Sequence, residues 1–206
     1  VPQGKFARGV TVDFNGHTYT VDGETVGSAG TGTNGFQLLK DNKITFKNGT
    51  IASAKAKILV QNYSDLTLDG MTLTLNNPDY AYAYTLSNNN GDIVVKGSRI
   101  NANPAGGFAF DGCRYASYPS VSVTVTGDSV INGNVEVSAS SSDAKNGFSL
   151  ALNGGTMTGS SVMDASASAA LAATPEKVSV TKASTFDKAA PEGYVWVAGA
   201  TEGTDT

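Results

Sequence analysis

The chain has 206 residues, of which 16% are charged, with a formal net charge of −4 and a pI near 4.9. That balance offers no basic footprint for nucleic acid, no Lys/Arg cluster for a membrane surface, and no apolar run near the roughly 18 residues of a membrane span. The 24 glycines, with abundant Ser, Thr and Asn, argue against a helical protein and for many short strands joined by turns.

The chain opens Val1-Pro-Gln-Gly without an initiator Met or a signal pattern, and so reads as a processed protein or a piece of a longer one. Cys113 is the sole cysteine, which excludes a disulfide framework within the chain and a multi-Cys metal site.

One phrase recurs seven times: apolar, any, apolar, a turn, and apolar again seven residues after the start. Its copies begin at Val12, Ile44, Leu66, Ile93, Val123, Leu150 and Val178, and the clearest is Leu66-Thr-Leu68-Asp-Gly70-Met-Thr-Leu73. The first, third and eighth places hold Val12, Phe14, Tyr19; Ile44, Phe46, Ile51; Leu66, Leu68, Leu73; and Ile93, Val95, Ile100. They continue as Val123, Val125, Val130; Leu150, Leu152, Met157; and a stretched Val178, Val180, Phe186. A glycine fills the turn in six copies, at Gly16, Gly49, Gly70, Gly97, Gly127 and Gly154; the seventh has Ala183 instead. Alternation within the phrase calls for strands, and starts spaced 22 to 32 residues apart fit a solenoid with variable outer loops.

A third strand precedes most copies: Gly35–Leu39, Lys57–Gln61, Ala83–Leu86, Gly107–Phe110 and Asn134–Val137. Three strands and three bends describe one coil of a parallel β-helix, with coils stacked about 4.8 Å apart and right-handed by the general rule for parallel crossovers. An antiparallel sandwich also has many short strands, but it does not call for the same phrase at each return. The expected fold is thus an all-β, single-stranded, right-handed parallel β-helix of about seven coils over residues 1–188. A cap and polar tail follow over 189–206, where Tyr194 and Trp196 share one face of an extended segment and cover the last coil against edge pairing. Ser161 to Thr174 is rich in small residues and reads either as a strand with a loop or as a short helix.

Candidate chemistry is sparse. Gly30-Thr-Gly32-Thr-Asn-Gly35 matches a dinucleotide fingerprint formally, but Phe36 onward leaves no room for the helix that the fingerprint needs. His17 is the single histidine and sits at an expected exposed corner, so neither a triad nor a zinc site is formed around it. Cys113 reads as a small packed side chain. Polysaccharide cleavage needs acids stacked on adjacent coils, yet the places before the corner hold Asn15, Lys47, Asp69, Lys96, Thr126 and Asn153. Lys96, Arg99, Asp111 and Arg114 form the best local set and lack a carboxylate pair. The Thr18/Thr20 and Thr72/Thr74 pairs raise ice binding, which is set aside because the set does not repeat from coil to coil.

The aromatic residues offer more. Tyr80, Tyr82 and Tyr84 alternate, so one extended strand would project all three from one face. Tyr63, Tyr115 and Tyr118 fall in loops of the neighbouring coils, among asparagines 62, 76, 77, 88–90, 101 and 103. Two readings stand side by side: a sugar-stacking or protein-docking surface, and rings that fold back to bury themselves against the coil.

The phrases Val12-Asp-Phe-Asn-Gly-His, Ile44-Thr-Phe-Lys-Asn-Gly-Thr-Ile51 and Leu66-Thr-Leu-Asp-Gly-Met-Thr-Leu73, with Val178-Ser-Val-Thr-Lys-Ala-Ser-Thr-Phe and Pro191-Glu-Gly-Tyr-Val-Trp, are informative together. Over residues 9–197 the chain resembles the right-handed, pectate-lyase-like β-helix repeat domains of gut-bacterial surface proteins and bacteriophage virion proteins. The resemblance implies display on a virion or bacterial surface, outside a cell, and carries over no catalytic residue. The expectation is a non-enzymatic structural or adhesion module, with a polysaccharide lyase or glycoside hydrolase as the alternative. Its partners are virion or cell-surface proteins and host glycans, with no nucleic acid, no membrane insertion, no cofactor and no metal; an oligomer is compatible with the fold. Tyr80, Tyr82, Tyr84, Tyr115, Tyr118, Arg99 and Arg114 are the candidate glycan- or partner-binding residues.

Overall fold

A computed structural model describes residues 8–23, 26, 34–115, 118–139, 148–153, 155–158, 161–163, 169–173 and 178–180. Among the described residues every regular element is a strand and none is a helix. Apart from one isolated antiparallel bridge between Val26 and Asn34, the pairing is parallel throughout, in a sheet of 12 strands and a second of 6. The protein is a parallel β-solenoid.

The first turn is built from β1 (Val10–Asp13), β2 (Thr18–Val21) and β3 (Asn34–Leu38). In the next two turns the phrase forms one unbroken strand, β4 (Lys43–Ser53) and β6 (Asp65–Leu75), followed by β5 (Ile58–Asn62) and β7 (Ala83–Asn88). Then come β8 (Gly91–Lys96), β9 (Arg99–Asn101) and β10 (Gly107–Arg114), and β11 (Val121–Thr126), β12 (Val130–Asn132) and β13 (Val135–Ala139). Four turns are thus followed strand by strand from residue 43 to residue 139, where the phrase count anticipates about seven coils in all. Beyond them β14 (Phe148–Asn153), β15 (Gly155–Met157), β16 (Ser161–Met163), β17 (Ala169–Ala173) and β18 (Val178–Val180) prolong the same ladders. The expected third strands correspond to β3, β5, β7, β10 and β13, which form the second sheet together with β16.

Stacking turns puts equivalent residues in rows, and the inward rows are apolar. One row is Ile44, Leu66, Ile93 and Val123; the next is Phe46, Leu68, Val95 and Val125; a third, past the corner, is Ile51, Leu73, Ile100, Ile131 and Met157. All of these side chains are buried, and burying each stabilises the fold by roughly 1.5–3 kcal/mol. Val60, Leu86, Phe110 and Val135 face them from the second sheet.

Three copies of the phrase adopt a different register from the expected one. Val10, not Val12, stands beside Ile44, and Val12 stands beside Phe46. Two additional corner residues explain the shift, and Phe14 lies edge-on against Phe46 with ring centroids 5.7 Å apart. Ile131, not Val130, takes the buried place beside Ile100, because the corner through Gly127 and Ser129 is one residue longer. In the last copy Leu171 pairs with Leu150 and Val180 with Met157, so Val178–Val180 fills the second position of a turn. Within 161–174 the described segments are the strands β16 and β17. The cap with Tyr194 and Trp196, the tail, and Gly154, Ala183 and Phe186 lie outside the described residues.

Polar corners close the turns. Asn62 and Asn88, fully buried on adjacent strands, turn their amides onto backbone: Asn62 Oδ1 accepts from the Ser64 amide at 3.0 Å, and Asn88 Nδ2 donates to the Asp111 carbonyl at 3.0 Å. At the other corner Ser98 Oγ accepts from the Met71 amide at 2.9 Å. These bonds satisfy backbone groups that the sheets leave behind.

Leu68→Ala is expected to lower stability by about 2–5 kcal/mol by opening a cavity, and Thr67→Ala, on the opposite face, by less than about 0.5 kcal/mol. Gly107, at φ +118, lies so close to Ala83 that a Cβ would collide with its backbone, whereas Gly97, at φ +53, has open space around it. Urea unfolding should therefore show Gly107→Ala to be far more damaging than Gly97→Ala, which carries only the left-handed penalty of about 1–2 kcal/mol.

Candidate functional site

Residues on a strand alternate between faces. In the second sheet, core residues Val60, Leu86, Phe110 and Val135 are each followed by a polar one: Gln61, Ser87, Asp111 and Glu136, which join Gln37 in one row. This row lies on the face away from the core. Asp111 and Glu136 are paired neighbours on β10 and β13, so successive turns bring two carboxyl groups together.

An aromatic group stands at the start of these strands. Tyr84 on β7 stacks on Phe108 of β10 with centroids 5.5 Å apart and planes at 21°. Tyr82 lies edge-on to both, 6.1 Å from Tyr84 and 5.3 Å from Phe108. Glu136 fixes this group: the Tyr84 hydroxyl donates to its Oε2 at 2.8 Å and the Tyr82 hydroxyl to its Oε1 at 3.2 Å. Burial, then the hydrogen bond to Glu136, pushes the Tyr84 hydroxyl well above its ordinary pKa. Tyr82 remains 57% exposed and forms the outer surface of the group.

A second aromatic group stands at the other end of the strands. Tyr63, just past β5, lies 5.3 Å from Tyr118 and 6.4 Å from Tyr115, which follows β10. Lys40 Nζ stands 5.8 Å from the centre of the Tyr118 ring. The Tyr63 hydroxyl is pushed up to about 12, first by burial and then by Tyr118 and Tyr115, with Asp111 adding to the effect. Along the chain Asp111 falls between Phe108 of the first group and Tyr115 of the second, and it adds to the upward shift at Tyr84 as well. Phe108 and Tyr115 are seven residues apart along β10, or about 23 Å if fully extended; the face is long enough for an extended ligand.

Asp111 is 5% exposed. Its Oδ1 accepts from the Asn88 amide at 2.7 Å and its Oδ2 from the Ser87 hydroxyl at 3.3 Å. Burial nevertheless raises its pKa to about 7, opposed by the Asn88 amide and reinforced by the charge of Glu136.

The structure brings Tyr82 and Tyr84 together, and Tyr115 with Tyr118, but it does not line up Tyr80, Tyr82 and Tyr84 on one strand. β7 begins only at Ala83; Tyr80, in the preceding turn, is half-buried against the core with Lys57 Nζ 5.9 Å from its ring centre. Lys96 and Arg99 belong to the first sheet, where Lys96 pairs with Asp69 at 3.4 Å and Arg99 is exposed beside Thr72. The set of Lys96, Arg99, Asp111 and Arg114 is therefore divided between the two sheets, and the Arg114 side chain lies outside the described ones. The asparagines at 62, 77, 88, 90 and 103 are buried in corners, where their amide nitrogens donate to backbone carbonyls, and buried Asn89 donates to the Ser87 hydroxyl. His17 is exposed, as expected of a corner residue.

The pairing of Asp111 with Glu136, and the contacts of Glu136 and Phe108, are not seen at the places before the corner glycines, because these residues lie on the strands of the second sheet. The signal was present: Phe110-Asp111 and Val135-Glu136 repeat an apolar–acid step one turn apart.

On the first sheet the corner row is Asp13, Lys47, Asp69, Lys96, with Asp13 in the place expected of Asn15. Lys47 pairs with Asp13 at 3.1 Å. The Asp13 carboxyl is held below its ordinary pKa, first by the Asn15 amide and then by Lys47. Threonines repeat from turn to turn as Thr18, Thr50, Thr72 and as Thr11, Thr45, Thr67, contrary to the sequence expectation. The charged row between them breaks the regular array an ice-binding face requires.

Asp111 gives a pH test. The fold holds its proton up to about pH 7, whereas an unfolded carboxyl releases it near 3.8. Between those values the folded state binds more protons, so this group's contribution is complete below about pH 4 and is lost as pH rises towards about 7. Asp111→Asn, which keeps an acceptor for the Asn88 amide, is expected to flatten the fall in Tm across that window; thermal melts at a series of pH values check it. Comparison of the chain with protein-family models, with curated proteins and with solved structures finds no match.

Proposed function

We propose that this protein is a non-enzymatic, surface-displayed β-solenoid, a decoration, fibre or adhesion module of a virion or bacterial surface, whose second sheet binds carbohydrate on its outer face. The carrying observation is the Tyr82–Tyr84–Phe108 group, locked through two hydroxyls to Glu136, with Tyr82 exposed. A rigid ring offers its face to the C–H surface of a sugar at little entropic cost, while nearby polar groups fix orientation. Gln37, Gln61 and Glu136 supply those groups along the strand row, and the Tyr63–Tyr115–Tyr118 group supplies a second aromatic surface. The repeated phrases and their likeness to those of displayed β-helix domains support the placement on a surface; recovery of the chain in stoichiometric amounts from purified particles or cell envelopes checks it.

A second reading, a polysaccharide lyase or glycoside hydrolase, is favoured by the juxtaposition of Asp111 and Glu136. A proton-holding carboxyl beside another carboxyl is a pairing that acid/base cleavage uses. Against it, Asp111 is buried and accepts hydrogen bonds from an amide and a hydroxyl, as a structural carboxyl does.

Tyr82→Ala is expected to weaken binding of the best oligosaccharide on a glycan array by about tenfold, the loss of one aromatic contact of about 1.4 kcal/mol, with a fall in Tm much smaller than that of Leu68→Ala. Incubation with the same oligosaccharides should release no reducing or unsaturated ends; release that Glu136→Gln abolishes would establish the enzymatic reading instead.

A further inference from the structure

Resting on the carbohydrate-binding reading, the geometry points to a ligand class: we propose that the outer face of the second sheet takes an oligosaccharide of amino sugars, with a protonated amine set against Glu136. Charge complementarity carries this. The two described ion pairs, Asp13 with Lys47 and Asp69 with Lys96, both lie on the first sheet. On the second sheet Asp111 and Glu136 stand side by side, and among the described residues neither has an ion-pair partner. Among the described residues Glu136 receives the Tyr82 and Tyr84 hydroxyls, neutral donors that bring no compensating charge.

The described lysines near this sheet stand at rings rather than at that carboxylate. Lys40 and Lys57 stand over the rings of Tyr118 and Tyr80. Such placements also show that ring faces here accept cations, which aromatic quadrupoles attract. An ammonium reaching Glu136 would gain its carboxylate together with the rims of Tyr82 and Tyr84, while the sugar ring lies along exposed Tyr82. A uronic acid in the same place would meet a like charge, a juxtaposition that disfavours binding. An N-acetylated sugar would keep the ring contact and lose the charge. The net charge of −4 acts in the same direction at long range.

Calorimetry on the intact chain tests this with four probes of matched length: a glucosamine oligomer, its N-acetylated form, an oligogalacturonate and a lysine-rich peptide. The glucosamine oligomer is expected to bind about tenfold tighter than the acetylated one, as a charge-assisted contact does, with a preference that shrinks as salt is raised. Glu136→Gln should remove most of that preference, read as the ratio of the two oligomers' affinities within the variant. Asp111→Asn gives a second, nearly isosteric variant: measured at about pH 8, where Asp111 is ionised, its preference should also fall. Equal affinity for both glucosamine forms, tighter binding of the galacturonate, or a preference unchanged in both variants would overturn the proposal while leaving carbohydrate binding intact. Tighter binding of the peptide than of the glucosamine oligomer would overturn it in favour of a cationic protein partner. If no saccharide binds, the carbohydrate-binding reading itself fails.

Discussion

Parallel stacking in register is the constraint on which everything else in this molecule depends. Each residue of a turn lies about 4.8 Å from its counterpart in the next, so a side chain chosen for one turn must suit the row. Inward rows accept this easily, because Ile44, Leu66, Ile93 and Val123 are all branched aliphatics that pack on one another. Corners accept it only when the backbone groups left by the bend find partners. Asn62 and Asn88 supply them by folding their amides onto the chain, which is why these polar side chains are among the most deeply buried.

The same constraint makes outward rows a problem of charge. Like charges in one row are brought together whether or not anything compensates them. One row of the first sheet solves this by alternation, as Asp13, Lys47, Asp69 and Lys96 succeed one another, while in another row of that sheet the Asp65 carboxylate, beside Asp92, accepts from the Asp92 amide. The second sheet does not: Asp111 is followed by Glu136. The fold accommodates the pair by surrounding Asp111 with hydrogen-bond donors, by retaining its proton to about pH 7, and by giving Glu136 two tyrosine hydroxyls. None of these arrangements is needed to close a turn, since Gln61 and Ser87 fill the same row in earlier turns without carboxyl groups.

What could be read in the sequence follows from this logic. Periodicity located the strands because burial enforces it on each turn, and β4 and β6 hold the phrase without interruption. Register was harder to read wherever a corner changed length. Val12 and Val130 both satisfy the pattern, yet Val10 and Ile131 occupy the equivalent places, since added corner residues shift phase without altering composition. The tyrosines illustrate a different difficulty. Alternation of Tyr80, Tyr82 and Tyr84 predicts one shared face only if the strand already exists at Tyr80, and it begins at Ala83. The contacts that do form, Tyr84 with Phe108 and Tyr63 with Tyr118, cross between turns; they become visible only after the turns have been placed in register. Arg99 is separated from the tyrosines for the same reason, lying on the other sheet.

The two sheets therefore differ in what their outer faces have been allowed to keep. On the first, charge is cancelled within the Asp13–Lys96 row, and threonine, a β-branched residue suited to a sheet surface, recurs in the rows beside it. On the second, large rings gather at both ends of the strands and acidic groups lie between them. Tyr82 keeps more than half its surface in solvent although Phe108 and Tyr84 are close enough to cover it further. Holding an exposed ring in place through a carboxylate that reaches back across β10 adds nothing to the apolar core, and orders side chains that would otherwise be free to rotate. That ordering has a cost in side-chain entropy, and a ligand that needs a rigid, negatively charged aromatic surface is what would offset it.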